Sequence, residues 1–252
     1  MSNNPSAKIS IKDLHKSFGA NTILRGVTLD VVEGEVLCVI GKSGTGKSVV
    51  MKHLVGILSP DSGEIFVDGI NFTDADAETR RLIVSKYGIL FQGAALFDSM
   101  NVFENIAFGL RRKNMSEDEI VLTVRDMLGQ VGLGDIGNRH PSEISGGMQK
   151  RVGLARAIVM HPEIMLYDEP TTGVDPITAG SVDRLILEMR DKFGITSIVV
   201  THDMKSALEI ADRIAMIFEG EIIFTGTPDE VRASDIPVIQ QFLKGSGEKR
   251  YS

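Results

Sequence analysis

Eight consecutive residues, Gly41, Lys42, Ser43, Gly44, Thr45, Gly46, Lys47 and Ser48, have the types and spacing to hold a chain of phosphates. They match G-x-x-x-x-G-K-[ST], a loop whose backbone N–H groups wrap a phosphate and whose glycines permit the approach. Lys47 would reach the β- and γ-phosphates, and the Ser48 hydroxyl would bind Mg²⁺. The plain alternative is an ordinary glycine-rich turn between strand and helix. The context favours phosphate binding. Residues 36–40 form a continuous apolar run, the pattern of a strand buried on both faces. Residues 49–58 read as a helix that stops at Ser59-Pro60, so the loop sits at a helix start, where the dipole favours an anion.

Two carboxylates could complete such a site. Residues 163–169 read as an apolar strand ending in Asp168 and Glu169, and Pro170 stops it. In an open parallel sheet, ligands bind at the carboxyl ends of the strands. Asp168 would hold Mg²⁺ through its water shell, and Glu169 would act as general base on an attacking water. Alone, the pair could equally be solvated loop carboxylates. Another apolar strand, residues 195–200, ends in Thr201-His202-Asp203, which would set His202 on the γ-phosphate side.

A second glycine-rich helix start lies far downstream. Ser145, Gly146 and Gly147 precede a segment with Met148, Val152, Ala155 and Val159 at helical spacing. Ser145 is a good N-cap, and the glycines let a phosphate approach the backbone. Without the upstream loop, a capped amphipathic helix with no ligand would be the first reading.

The remaining elements frame these residues. Residues 9–14, 28–32 and 63–67 read as strands of an N-terminal antiparallel region, separated by turns at Glu33-Gly34 and Asp68-Gly69. A polar helix covers 75–86. Ser116 and three acidic residues start another, running through Val121, Val124, Met127 and Leu128 to Gly129 or Gly132. Residues 214–218 and 221–224 read as a hairpin about Glu219-Gly220. Val231, Ile236, Ile239, Phe242 and Leu243 allow a short amphipathic helix after Ser234-Asp235. It would pack on its own domain or dock a partner. Residues 245–252 read as a loose tail.

At 252 residues the chain can bury one sizeable core. It has no apolar run near the ~18 residues of a membrane-spanning helix. The start is polar and unlike a signal peptide. The single cysteine, Cys38, suits a reducing compartment. A net charge of −7 argues against a nucleic-acid partner and against a dominant anionic-membrane surface. Membrane association would have to come through a protein partner.

Taken together and in this order, the motifs resemble those of the nucleotide-binding subunit of ATP-binding cassette (ABC) transporters, over residues 8–242. The resemblance implies an α/β fold with a P-loop NTPase (RecA-like) core, an N-terminal antiparallel β region and an inserted α-helical subdomain. As a single nucleotide-binding domain over 1–252, it would divide into a core of 8–92 and 162–228, a helical part of 93–161 and a C-terminal extension of 229–252. Phe18 stands where an aromatic residue stacks on adenine. Gln92 matches a glutamine that contacts Mg²⁺ or its water and senses the membrane subunit. Ser145, Gly146 and Gly147 match the signature loop, Asp175 matches the loop that crosses a dimer interface, and His202 matches the switch histidine. The implied assembly is a homodimer sandwiching two ATP molecules, each between the phosphate loop of one chain and the Ser145 loop of the other.

Two departures stand out. Ile144 and Met148 replace the first and last residues of the common Leu-Ser-Gly-Gly-Gln, and Met148 cannot supply an amide's hydrogen bonds. The Gly-Gly-Met ending is similar to that of the Mla and Mce group of bacterial lipid-transport ATPases. Residues 91–108, 168–178 and 238–245 are similar to the same group. That narrower resemblance implies phospholipid transport through a polytopic permease on the cytoplasmic face of the inner membrane. It also implies an MCE-domain protein and a small STAS-domain protein as partners. An importer for another solute would share every catalytic residue. A non-transport ABC ATPase would usually carry long coiled coils or two cassettes.

Overall fold

Two long strands, β1 (Ala7–Phe18) and β2 (Asn21–Val32), pair antiparallel and begin the chain's path through a computed structural model that describes residues 7–113 and 115–245. The polar start at 1–6 and the tail at 246–252 lie outside the described residues, as does Asn114 in the basic stretch at 111–116. β1 is twice as long as the pattern predicts. Its register shifts between Ile11 and Leu14, where Asp13 adopts φ 48°, so the alternation breaks mid-strand and hides its length.

β3 (Val36–Ile40) is buried along its whole length, as its apolar run predicts. It leads into α1 (Lys47–Leu54). The helix ends four residues earlier than expected, because Gly56 takes φ 73° and the Ile57 and Gly56 amides donate back to Lys52 and His53 carbonyls. Glycine stops it before Pro60 can. β4 (Ser62–Val67) and the short β5 (Ile70–Asn71) complete a four-stranded sheet in the order β2-β1-β4-β5. α2 (Ala77–Val84) is capped by Asp76, whose carboxylate accepts from Thr79 N at 2.7 Å.

β6 (Tyr87–Leu90) precedes three helices. α3 (Val102–Leu110) and α4 (Glu117–Gln130) each start in a capping box, Asn101 with Glu104 and Ser116 with Glu119. On α4 the buried residue is Ile120 rather than Val121, which is exposed and leaves the inward stripe to Ile120, Val124, Met127 and Leu128. α5 (Gly146–Ile158) returns to the sheet. The chain then alternates: β7 (Ile164–Asp168), α6 (Pro176–Phe193), β8 (Thr196–Thr201) and α7 (Met204–Ile210). β9 (Arg213–Phe218) and β10 (Glu221–Gly226) form the expected hairpin, with Glu219 and Gly220 both at positive φ as its tight turn demands.

The second sheet has the order β10-β9-β3-β8-β7-β6 and is parallel except for β10. Its middle strands divide the core. Val36, Cys38 and Ile40 pack with the helical layer of α3, α4 and α5, whereas Leu37 and Val39 pack with α1 and the N-terminal strands. β7 divides in the same way, Met165 and Tyr167 to one side and Ile164 and Leu166 to the other.

The chain closes with α8 (Pro228–Ala233) and α9 (Pro237–Gly245). Val231 therefore lies on a separate helix, split from the later apolar residues where the chain approaches Pro237. Ile239 is fully buried, and Ile236, Val238, Phe242 and Leu243 pack against the helical-side core. Burial of one such isoleucine contributes about 1.5–3 kcal/mol, so this segment is anchored to its own domain. No helix among the described residues is long and apolar enough to cross a membrane.

Candidate functional site

The phosphate loop leaves β3 at Gly41, where any side chain would strike Ile217 O at 2.5 Å and Thr45 Oγ1 at 2.8 Å. Gly46 takes φ 103° and N-caps α1; a Cβ there would meet Leu24 Cδ2 at 2.6 Å. These two glycines are therefore fixed by sterics and backbone conformation. Lys47, almost fully buried, donates to Gly41 O at 2.7 Å and Lys42 O at 2.9 Å, and Thr45 Oγ1 donates to Lys42 O at 2.9 Å. Burial pushes the Lys47 ammonium's pKa down, while the charges of Glu169 and Asp168 oppose that.

β7 and β8 deliver the acidic and imidazole groups. Ser48 Oγ lies 3.4 Å from Asp168 Oδ1. Burial, and then the neighbouring Glu169 charge, raises the Asp168 carboxyl above its ordinary range. Glu169 takes φ 50°, a conformation few non-glycine residues adopt, and its amide donates to Val200 O at 2.8 Å. One carboxylate oxygen, Oε2, lies 2.7 Å from His202 Nδ1 and accepts from Thr172 Oγ1 at 2.9 Å.

A cleft of about 430 Å³ gathers these groups. Ser43, Gly44, Gly46, Lys47 and Ser48 line one wall, and Gln92, Asp168, Glu169 and His202 line another. Phe18 stands at its edge, half-exposed, with Lys16 Nζ 5.6 Å from its ring centroid. Ile23 and Val49 also line the cleft, and the sequence reading missed both. Their apolar types and their neighbourhood to Phe18 and Ser48 were the available signal.

Ser145, Gly146, Gly147 and Asp175 do not line this cleft. Ser145 caps α5, accepting from Met148 N at 3.3 Å. Asp175 caps α6, accepting from Ile177 N and Thr178 N at 3.0 Å each and from the Thr178 hydroxyl, whose bond holds the carboxyl below its ordinary range. The two caps are neighbours, since a Cβ on Gly147 would lie 2.4 Å from Thr178 Cγ2. Space around Gly146 is open. Gly41, Lys42 and Thr45 belong to the phosphate loop without lining the cleft; the other sequence-predicted residues fall into two groups, one around the cleft and one at the paired starts of α5 and α6.

The donors present suit Mg²⁺. Ser48 Oγ and Asp168 Oδ1 are hard oxygens side by side, Gln92 shares their cleft, and no set of three His, Cys, Asp or Glu forms a metal cage among the described residues. Mg²⁺ uses this kind of sparse protein set together with substrate phosphates.

A model of the ABC transporter family matches residues 24–172, from β2 through the loop after Glu169. The chain belongs to that family. Relatives and solved structures agree. A protein of Mycobacterium leprae (strain TN) named "probable ribonucleotide transport ATP-binding protein mkl" is 42% identical over 94% of this chain and 69% of its own. The Arabidopsis thaliana chloroplastic protein trigalactosyldiacylglycerol 3 is 41% identical over 100% of this chain and 78% of its own. A dimeric ATP-binding cassette solved in a post-hydrolysis state with ADP and Pi is 30% identical with TM-score 0.79, covering 87% of this chain and 98% of that one. The mycobacterial relative is longer, the chain spanning about two thirds of its length. As an ABC domain, the chain binds and hydrolyses ATP, and its P-loop core with the flanking antiparallel sheet is the ABC fold.

Proposed function

We propose that this chain is the ATP-hydrolysing subunit of an ABC transporter of the Mla and Mce type, driving phospholipid movement through a polytopic permease. The observation that carries the catalytic part is the Glu169–His202 contact at the mouth of the phosphate-loop cleft. Glu169 acts as general base on the attacking water, held by His202 and Thr172. His202 also meets the γ-phosphate. Lys47 and the N–H groups of 41–48 hold the β- and γ-phosphates, and Phe18 stacks on adenine. Ser48, Asp168 and Gln92 would hold Mg²⁺, which would supply positive charge to offset that of the phosphates. Ser145, Gly146, Gly147 and Asp175 serve the second copy's nucleotide, because they lie outside their own cleft.

The division into a core of 8–92 and 162–228, a helical part of 93–161 and an extension from 229 belongs to the same reading. The helical part, entered at Gln92, passes motion to the permease. The assembly sits at the cytoplasmic face of the inner membrane and is peripheral through that permease. An MCE-domain protein and a STAS-domain protein are further partners of the lipid reading.

Support for lipid comes from the Gly-Gly-Met signature and the three other Mla-like stretches. It also comes from the plant relative, which bears the name of a glycolipid. The mycobacterial relative's name, which speaks of ribonucleotide transport, favours a second reading in which the cargo is a small solute of that kind. The deciding experiment purifies the chain with its permease in vesicles and measures ATP-dependent movement of fluorescent phospholipid, with Glu169→Gln as control. Phospholipid movement above the control supports the lipid reading. Ribonucleotide uptake with phospholipid movement at control level replaces it.

A further inference from the structure

We propose that Lys150 is a positioning residue that ties the Ser145 end of α5 to Gln92 and Glu169 of its own cleft. This rests on the reading of Glu169 as base and of the Ser145 loop as serving a second copy. Lys150 lies one turn into α5 and is 5% exposed. Its ammonium donates to the backbone carbonyl of Gln92 and to Glu169 O at 3.3 Å. It is therefore joined to both residues through main chain, not through the side chains that do chemistry. Burial pushes its pKa down, and the nearby charges of Glu169 and Asp168 act against that. A buried cation so placed costs desolvation, and a helix stripe would be filled more cheaply by an apolar residue.

A second α5 cation secures the same loop. Arg156 donates to Ala95 O at 2.7 Å and Ala94 O at 2.8 Å. Ala94 and Ala95 have φ of 58° and 48°, a left-handed pair that alanine rarely adopts unaided. The Gln92 loop is thus gripped from α5 at two points, with the base attached to the first. α5 begins at Gly146, so any rotation of that end on meeting a nucleotide is carried one turn along the helix to Lys150. Gln92 and Glu169 then move as one unit with the signature loop. Occupation of the Ser145 end by a second copy's ATP would in this way set the geometry of hydrolysis in the cleft of the chain that carries it.

The test uses the full chain, comparing Lys150→Met, which keeps length and loses the donor, with Lys150→Arg, which keeps a cationic donor. ATP binding, KM and kcat are measured for each, and Glu169→Gln is run alongside. The expected result for Lys150→Met is a kcat lower by roughly 10- to 100-fold with ATP affinity within about twofold of the parent. Lys150→Arg recovers most of that loss. If Lys150→Met fails to fold, Lys150→Leu, which likewise has no donor, replaces it with the same expected direction. A neutral variant with unaltered kcat, or one whose affinity falls in step with kcat, would overturn the proposal. So would Lys150→Arg being as slow as Lys150→Met. Full turnover in Glu169→Gln would instead remove the underlying reading of the base.

Discussion

His202 Nδ1 lies 2.7 Å from Glu169 Oε2, and Thr172 Oγ1 reaches the same oxygen at 2.9 Å. With both bonds on one oxygen, the carboxylate cannot spin about its own axis without losing them. The amide bond to Val200 O, with the backbone at φ 50°, fixes the main chain that carries it, so the residue is held at its backbone and at its carboxylate tip. Such preorganisation is expected of a group that must meet a reacting water at a fixed angle.

Replacing Glu169 by Gln keeps size and removes the basic oxygen. Hydrolysis should slow by roughly 10²–10⁴-fold while ATP binding is kept, and the ATP-bound dimer should accumulate. Single-turnover hydrolysis with parallel size-exclusion chromatography in ATP measures both. Unchanged turnover would show that another group takes the proton.

Ser145→Arg places a long side chain at a helix start where the space beside Gly146 is open. ATP binding by the isolated chain should stay within about twofold, because Ser145 does not line the cleft. ATP-driven dimerisation should be lost. Equilibrium binding and light scattering separate the two, and a variant that loses monomer binding would place Ser145 in its own chain's site.

Asp183 is buried and accepts from Ser206 Oγ at 2.6 Å, and burial pushes its carboxyl from 3.8 up to about 6. Between those values the folded chain holds more protons at this position than the unfolded chain. Its stabilising contribution is therefore present below about pH 4 and lost as pH rises through about 6. Asp183→Asn should match the parent near pH 4 and exceed it by about 1–3 kcal/mol at pH 7. Urea unfolding at a series of pH values gives the difference directly, and parallel profiles would refute it.

Asn105 is fully buried on α3. Its amide accepts from Phe97 N at 2.8 Å and donates to the carbonyls of Phe97, Met100 and Asn101 at 3.0–3.1 Å. Ala at this position would take the side-chain partner from Phe97 N and Met100 O, in the segment that follows Gln92, while Phe97 O and Asn101 O keep main-chain bonds. A loss of about 2–4 kcal/mol is expected. Amide exchange should accelerate first at Phe97, whose N–H would be left without its partner.

Much of this is legible in the sequence. The apolar run at 36–40, the acidic strand end at Asp168 and Glu169, and the cap at Ser145 are local signals, and local chemistry fixes them. Elements that depend on backbone strain were less visible. Gly56 ends α1 through a left-handed turn, ahead of the stop that Pro60 signals, and Asp13 conceals the length of β1 by bulging it. Lys150 and Arg156 left no mark, since a cation that bonds main-chain carbonyls of another segment has no partner residue type to reveal it. Val121 lost its inward place to Ile120 because a helix stripe is decided by rotation to within a fraction of a turn.

The alternation along β3 has a consequence for how a change in one layer reaches the other. Val36, Cys38 and Ile40 answer to the helical layer, and Leu37 and Val39 answer to the side that carries α1 and the N-terminal strands. The helical residues of α3 and α4 thus meet the five-residue strand on one face, while α1, which follows the phosphate loop, meets it on the other. A change of side-chain volume on one face of β3 is therefore felt first by the layer on that face, and reaches the other layer only through movement of the strand itself.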